Sequence, residues 1–241
     1  MKAAASEALG IPAENIFLKK RWRIRRRQEG DQYSKRAQIN FLRDVHEGDM
    51  MFRVNLSDYL DTGLFLDARK KRAFISDQSA DKKVLNLFSY TCSLSVAAAA
   101  GGASKVESVD LSKTYLDWGK VNFSLNGINN PFLIRDDVIE FISEAKNKKQ
   151  KWDLIILDPP GFSNSKKMKN AIDLKRDHEE IINNCLSLLA KNGMLIFSSG
   201  KRNLRLENTS FPGKKITDIT EKLRDEDFIG KRIPLCYTIE E

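Results

Sequence analysis

From Lys83 to Ser198 the chain switches repeatedly between short apolar runs and stretches with helical spacing. Val84–Phe88 is apolar, and the alanine-rich stretch behind it runs to Ala100, where Gly101-Gly102 stops it. Lys105–Val109 is the next run and ends in Asp110. Ser112 then stands where an N-cap belongs, and Tyr115, Leu116, Trp118 and Phe123 recur at helical spacing before Gly127. Phe132–Ile134 closes in Asp136-Asp137 and predicts a helix over Val138–Lys146. Asp153–Leu157 closes in Asp158-Pro159-Pro160. A helix is expected over Asp177–Ala190, and a strand over Met194–Ser198 behind Gly193. Short continuous apolar runs read as parallel strands buried on both faces. Strand–helix units in series predict an α/β fold, a right-handed, doubly wound, Rossmann-like sheet. The last stretch, through Leu235–Ile239, is expected to add antiparallel edge strands.

Ahead of this region the period drops to two. Ala37–Leu56 carries two alternating runs around Glu47-Gly48-Asp49, which predicts a β-hairpin. The preceding segment Lys19–Arg27, KKRWRIRRR, holds seven basic residues in nine. Read as a strand, it places Lys19, Arg21, Arg23, Arg25 and Arg27 on one face and Leu18, Trp22 and Ile24 on the other. Five like charges in register repel one another unless an anionic partner faces them, which favours RNA contact over simple edge protection. The expected organisation is an irregular alanine-rich leader over residues 1–14, then a small β-rich RNA-binding unit with its connector over 15–80. That connector contains Asp61-Thr62-Gly63 and a helix from near Asp67. Residues 81–241 form the sheet domain, with the leading unit packed on it.

Charge and cysteine usage narrow the setting. Lys+Arg number 41 against 33 Asp+Glu, giving +8 and a sequence pI near 9.3, which suits a polyanionic partner. No 18-residue apolar run is present, so no membrane span is expected. Met1–Gly10 has no cleavable apolar core, so no signal peptide is expected either. The three cysteines, Cys92, Cys185 and Cys236, have neither CxxC nor metal spacing. The expected compartment is reducing and cytoplasmic, and no metal site is expected.

The candidate chemistry lies where the strands end. Asp110, Asp137 and Asp158 each follow a predicted strand, and the carboxyl ends of a doubly wound sheet line one crevice. Asp110 lies 22 residues after Phe88, near the spacing at which an acidic residue bonds ribose hydroxyls. The first turn, FSYTCSLSV over Phe88–Val96, contains no glycine, so neither dinucleotide nor P-loop phosphate cradles are present. It offers the hydroxyls of Ser89, Tyr90, Thr91 and Ser93 instead. A ligand with an adenosine and no phosphate fits better, and S-adenosylmethionine (SAM) is the common one. At the fourth strand the Asp158 carboxylate, the Pro159 and Pro160 carbonyls and the Phe162 ring make a clamp for a planar base.

Four strings, SDYLDTGLFLD (Ser57–Asp67), VLNLFSY (Val84–Tyr90), Ser112–Trp118 and DPPGFSNSK (Asp158–Lys166), resemble the bacterial large-subunit rRNA methyltransferases. The likeness runs from the basic segment through Lys201-Arg202. Asp-Pro-Pro alone is widespread, whereas the longer string together with GLFLD is much more specific. The resemblance implies a SAM-binding domain behind an RNA-binding unit, acting on large-subunit rRNA. It makes Asp110 the ribose ligand, Asp137 the adenine ligand and Asp158 the acidic lip of the target pocket, with Asp67 closing the cofactor site beside Phe88, Ser89, Tyr90 and Thr91. The family also has an additional N-terminal half with THUMP and methyltransferase modules, to which this chain would be fused or with which it would act. It usually has glycine where this chain has Cys92, a position at which a left-handed backbone would cost cysteine something and weaken SAM binding.

The residues also bear on which atom is methylated. Cytosine C5 requires a thiolate, and Phe197-Ser198-Ser199-Gly200 contains none where related enzymes place it. Guanine N7 has an exposed lone pair and no proton to lose, so positioning plus electrostatic help for the cationic ring suffices. An exocyclic amine such as guanine N2 would use the same clamp, and the motif does not separate the two. The family resemblance favours N7. A non-catalytic RNA-binding or assembly factor with the same fold is the remaining alternative. Lys166, Lys167 and Lys169 could hold phosphates beside the target or form a solvated loop. His178 reads as an exposed residue on a polar helix face.

Overall fold

The computed structural model describes residues 1–19, 35–160, 162–163, 172–201 and 204–240. Arg21, Arg23, Arg25, Arg27, Lys166 and Lys167 lie outside the described residues, and the predicted basic strand with them.

Five parallel strands form most of one sheet: β3 (Lys83–Leu87), β4 (Lys105–Asp110), β5 (Phe132–Arg135), β6 (Trp152–Leu157) and β9 (Leu189–Ser199). Two more, β10 (Lys215–Asp218) and β11 (Leu235–Glu240), complete the order β10-β11-β9-β6-β3-β4-β5. β11 is antiparallel to both neighbours. It is therefore an interior strand, and β10 holds the edge that the sequence pattern assigned to it. The order reverses at β3, so the crevice beyond its carboxyl end is the topological switch point.

Helices cover both faces because side chains alternate along each strand. Leu85, Leu87, Ile155, Leu157, Leu195 and Phe197 face α5 (Val138–Asn147) and α6 (Leu174–Leu186). Val84, Leu154, Ile156 and Ile196 face α2 (Arg69–Asp77) and α3 (Ser93–Ala100). α4 (Lys113–Leu125) is N-capped by the Ser112 hydroxyl, and α5 by the Asp137 carboxylate. Among the described residues no helix is long and apolar enough to cross a membrane.

The hairpin is present as β1 (Leu42–Glu47) and β2 (Met50–Asn55), turning at Gly48-Asp49 with Gly48 at φ 58°. It docks on the sheet domain rather than standing off it. Phe52 and Val54 share a buried cluster with Val96, Leu116 and Phe123. Along β2 the Met51 and Arg53 N–H groups donate to the amide oxygens of Asn126 and Asn122, both at 2.9 Å. The Trp118 indole donates to the Arg53 carbonyl at 2.8 Å. Each such bond is worth about 1 kcal/mol, and leaving it unmade would cost more. Buried Asp58 fastens the approach to the hairpin, accepting from the Ile39 and Asn40 N–H groups and the Ser57 hydroxyl. Burial alone would push its carboxyl up, but those bonds outweigh it and hold the pKa at about 2.

The structure corrects four further expectations. The start is not irregular, since α1 spans Lys2–Leu9, although none of its residues is buried. α6 begins at Leu174, capped by Asp173, and ends at Leu186 rather than Ala190. β9 starts at Leu189, ahead of Gly193. Its register with β6 jumps from Trp152↔Leu189 to Leu154↔Met194, so residues 190–193 bulge out. Gly193 belongs to that bulge, where a Cβ would lie 2.9 Å from the Ala190 carbonyl oxygen. His178 is half-buried rather than exposed, and its Nδ1 has no hydrogen-bond partner among the described residues.

Candidate active site

The carboxyl ends of the central strands stand level. Leu87 on β3 pairs with Val109 on β4 and with Leu157 on β6, so Phe88, Asp110 and Asp158 are the next residues in one row. With strands about 4.8 Å apart, two carboxylates face the crevice roughly 10 Å from each other at the backbone. Asp110 on β4 is level with Arg135 on β5, which brings Asp136 and Asp137 alongside.

The first turn has an unusual backbone. Phe88, Tyr90 and Cys92 have φ of 57°, 50° and 60°, while Ser89 and Thr91 between them do not. Three non-glycine residues in this region cost about 1 kcal/mol or more each. Neighbouring groups fix the turn. The Tyr90 N–H donates to one Asp110 oxygen at 2.9 Å and the Ser112 N–H to the other at 2.8 Å. Burial raises the Asp110 pKa, and these two donors oppose it. The Thr91 hydroxyl donates to the Gly63 carbonyl at 2.6 Å and is fully buried, while Ser89 is buried beside the Cys92 thiol. Both hydroxyls thus have partners within the protein. Gly63, at φ 93°, lies where a Cβ would meet the Trp118 ring at 2.2 Å, which accounts for the glycine of the GLFLD string.

Cys92 has the left-handed backbone its position implied, yet its side chain turns away from the crevice. It is fully buried against α4, and a Cβ on Gly119 would come within 2.5 Å of its sulfur. The missing side chain at 119 makes the space the cysteine occupies. Burial pushes its thiol up to about 12, and the same holds for Cys185 and Cys236.

Asp158 is more heavily engaged than a tip residue need be. One oxygen accepts from Lys71 Nζ at 2.7 Å and the other from the Ser198 hydroxyl at 2.6 Å, while Lys71 also donates to Ser198 at 3.1 Å. Parity explains the meeting. Asp158 and Ser198 lie on the same sheet face as Ile156 and Ile196, the face that α2 covers. Lys71 and Ile75 share one side of α2, and Ile75 packs on those strands while Lys71 reaches their ends. The adjacent Arg72 is held from the other side by a buried bidentate pair with Glu47 of the hairpin and by the Phe65 carbonyl. Burial pushes the Asp158 carboxyl up, but the Lys71 charge and both donors outweigh it and hold it below the ordinary range. Asp67, on the turn before α2, moves the other way. Burial raises it and nearby Asp158 adds to the rise, against the pull of Lys71.

Sequence reading missed Lys71 and Ser198. Lys71 sits in an Arg-Lys-Lys-Arg run of which it and Arg72 are buried, and its place shows only through the helical spacing to Ile75. Phe65 and Leu66 are exposed at the rim, Phe65 stacking 5.5 Å from Tyr90, which in turn meets Tyr115 edge-on at 4.5 Å. Asp137 uses one oxygen to cap the Ile139 N–H. Pro159 is buried, and Phe162 lies in the short strand β7 (Phe162–Ser163), paired with β8 (Ile172–Asp173). Lys19 is half-buried. Among the described residues no cluster of His, Cys, Asp and Glu could hold a metal ion.

An acidic crevice at the switch point, with a glycine-free first turn and no phosphate cradle, suits an adenosine-bearing cation rather than a pyrophosphate. Asp110 has a lone pair left on each oxygen for a ribose diol. Such a fold and site define a nucleoside-binding α/β enzyme of the methyl-transfer class. Residues 14–204 match the S-adenosylmethionine-dependent methyltransferase family, and the chain belongs to it. It is 43% identical over 98% of its length to the ribosomal RNA large subunit methyltransferase K of Neisseria meningitidis serogroup B, covering 66% of that protein. It is 42% identical, again over 98%, to the ribosomal RNA large subunit methyltransferase K/L of Methylococcus capsulatus, covering 32% of it. The chain thus spans between about a third and two thirds of these relatives' lengths. Among solved structures, SMU.776 complexed with SAH superimposes with a TM-score of 0.72 at 29% identity, over 85% of this chain and 57% of that one.

Proposed function

We propose that this chain methylates N7 of a guanine in large-subunit rRNA. The observation that carries the reading is Asp158, a carboxylate kept ionised at the switch point of a methyltransferase sheet. The names of the rRNA methyltransferases K and K/L support the choice of RNA. Asp110 and Asp137 hold the adenosine of SAM, with Asp67 and the turn Phe88, Ser89, Tyr90 and Thr91 closing around it. Bound there, SAM supplies an electrophilic methyl group on a sulfonium.

Guanine N7 gives up no proton, so no general base is required. Asp158 and the Pro159 carbonyl stabilise the positive charge that grows on the ring, and Phe162 stacks on the base. The cysteine chemistry of pyrimidine C5 transfer is disfavoured, since Cys92, Cys185 and Cys236 are buried and remain thiols at neutral pH. Lys19, Arg21, Arg23, Arg25 and Arg27 hold the RNA backbone, with Lys166 and Lys167 beside the flipped nucleotide. The longer relatives suggest an N-terminal half fused to, or acting with, this one.

The test is incubation with labelled SAM and unmodified large-subunit rRNA, then mass analysis of the digested nucleosides. Label in 7-methylguanosine is the expected result. Label in N2-methylguanosine would keep the enzyme and move the acceptor atom, and no label in any nucleoside would refute the reading.

A further inference from the structure

Lys71 is a buried cation at the crevice that the chemistry above leaves unused, since no step of base methylation calls for an amine. Its side chain is 8% exposed, against 34% for Asp158. Lys71 and Ser198 come from different elements, α2 and β9, and each occupies a different oxygen of the same carboxylate. A carboxylate held by one donor can rotate about its last bond, whereas two donors on separate rigid elements fix its plane. Each oxygen then keeps one lone pair.

We propose that Lys71 and Ser198 are positioning residues that fix the Asp158 carboxylate in one orientation, its remaining lone pairs facing the base that becomes cationic during transfer. The inference rests on the guanine reading for the identity of that base, and on geometry alone for the device. The carboxylate meets a neutral base in the ground state and a charged one in the transition state, so its orientation acts on turnover rather than on RNA affinity.

The device also has a charge side. Burial works against ionisation of Asp158, and among the described residues Lys71 is the cation that opposes it. The other titratable groups facing the pair are Asp67 on the turn before α2, with Arg72 beyond it, and Cys236 on β11, with Asp218 of β10 beyond it. Arg72 acts on Asp67 and is engaged by Glu47, so the groups facing the pair itself supply no positive charge. With Lys71 removed, Asp158 titrates above its ordinary range, and its negative charge is lost as pH falls through that higher value.

The experiment compares Lys71→Met, Lys71→Arg and Ser198→Ala with the wild type by two readouts. The first is carbon-13 NMR titration of the Asp158 carboxyl in folded protein without RNA. The second is the pH dependence of kcat and KM for rRNA methylation. Lys71→Met is expected to move the Asp158 titration and the acid limb of kcat upward by about two pH units. It should lower kcat about tenfold at neutral pH and leave KM for rRNA within about twofold. Lys71→Arg restores the titration, and Ser198→Ala lowers kcat about threefold with a smaller upward movement of the limb than Lys71→Met. An Asp158 titration unmoved in Lys71→Met overturns the proposal, as does a loss confined to KM. A titration that moves sustains the device even if the wild type methylates no rRNA, because that readout uses neither RNA nor SAM. Should Lys71→Met fail to fold, an unchanged kcat in Ser198→Ala overturns the proposal by itself.

Discussion

Cys92 and Gly119 form a pair whose two members each look unfavourable alone. Cys92 has a backbone that favours glycine, at φ 60°, and Gly119 sits inside α4, where glycine costs about 1 kcal/mol relative to alanine. The structure says they answer each other, since a Cβ at 119 would lie 2.5 Å from the Cys92 sulfur and 2.9 Å from its Cβ. Gly119→Ala should therefore gain about 1 kcal/mol of helix propensity and lose about 1–3 kcal/mol to overpacking, a net destabilisation of roughly 0–2 kcal/mol. Cys92→Gly relieves about 1–2 kcal/mol of backbone strain and gives up a similar amount of buried side chain, leaving stability nearly unchanged. In that background the clash is gone, so Gly119→Ala should become stabilising by about 1 kcal/mol. The sign reversal amounts to a coupling of about 1–3 kcal/mol, read from urea midpoints of the four proteins at constant slope. If Gly119→Ala costs the same in both backgrounds, within about 0.5 kcal/mol, the packing argument is wrong. SAM affinity should be unaffected by Cys92→Gly, because the sulfur points into α4 and not into the crevice.

Further expectations concern the hairpin, its approach and the RNA. Gly63→Ala combines an unfavourable φ with a 2.2 Å approach to the Trp118 ring, and should destabilise the protein by about 2–4 kcal/mol in thermal or urea unfolding. Asp58 has a folded pKa of about 2 against an ordinary value of 3.8. Its contribution is thus complete above that ordinary value and lost as pH falls through the folded one. Asp58→Asn should flatten the fall of stability between pH 4 and 2 in acid-unfolding curves, and an unchanged slope would remove Asp58 from the account. Replacing Arg21, Arg23 and Arg25 by Ala should weaken RNA binding and reduce the dependence of log K on log salt by about 2–3. An unaltered salt slope would return that segment to edge protection.

Much of this was legible because local and global signals agree. The apolar runs that became β3, β4 and β6 are largely buried on both faces, so their composition alone declares them, and the acidic residues after β4, β5 and β6 mark the crevice. The hairpin announced itself through alternation and Gly48. Where reading failed, tertiary context decided. Cys185, Leu186, Leu188 and Leu189 form one apolar stretch that passes from helix through a turn into strand, and no period separates its parts. Gly193, which the pattern places ahead of a strand, lies instead in a bulge whose need arises from β6 alongside. Lys71 and Asp158 lie 87 residues apart, and only the crossing of α2 over the strand ends brings them together.

The clasp at Asp110 bears on how variants of this enzyme should be interpreted. Its two oxygens are the anchors of two separate loops, the turn after β3 and the entry to α4, through Tyr90 and Ser112. A substitution there removes the proposed contact to the nucleoside and, in the same stroke, cuts the struts that give its cradle a shape. Loss of cofactor affinity in such a variant would not by itself count as a measure of one ligand bond. Only a comparison of Asp110→Asn with Asp110→Ala, read against amide exchange at Tyr90 and Ser112, apportions the loss between contact and scaffold.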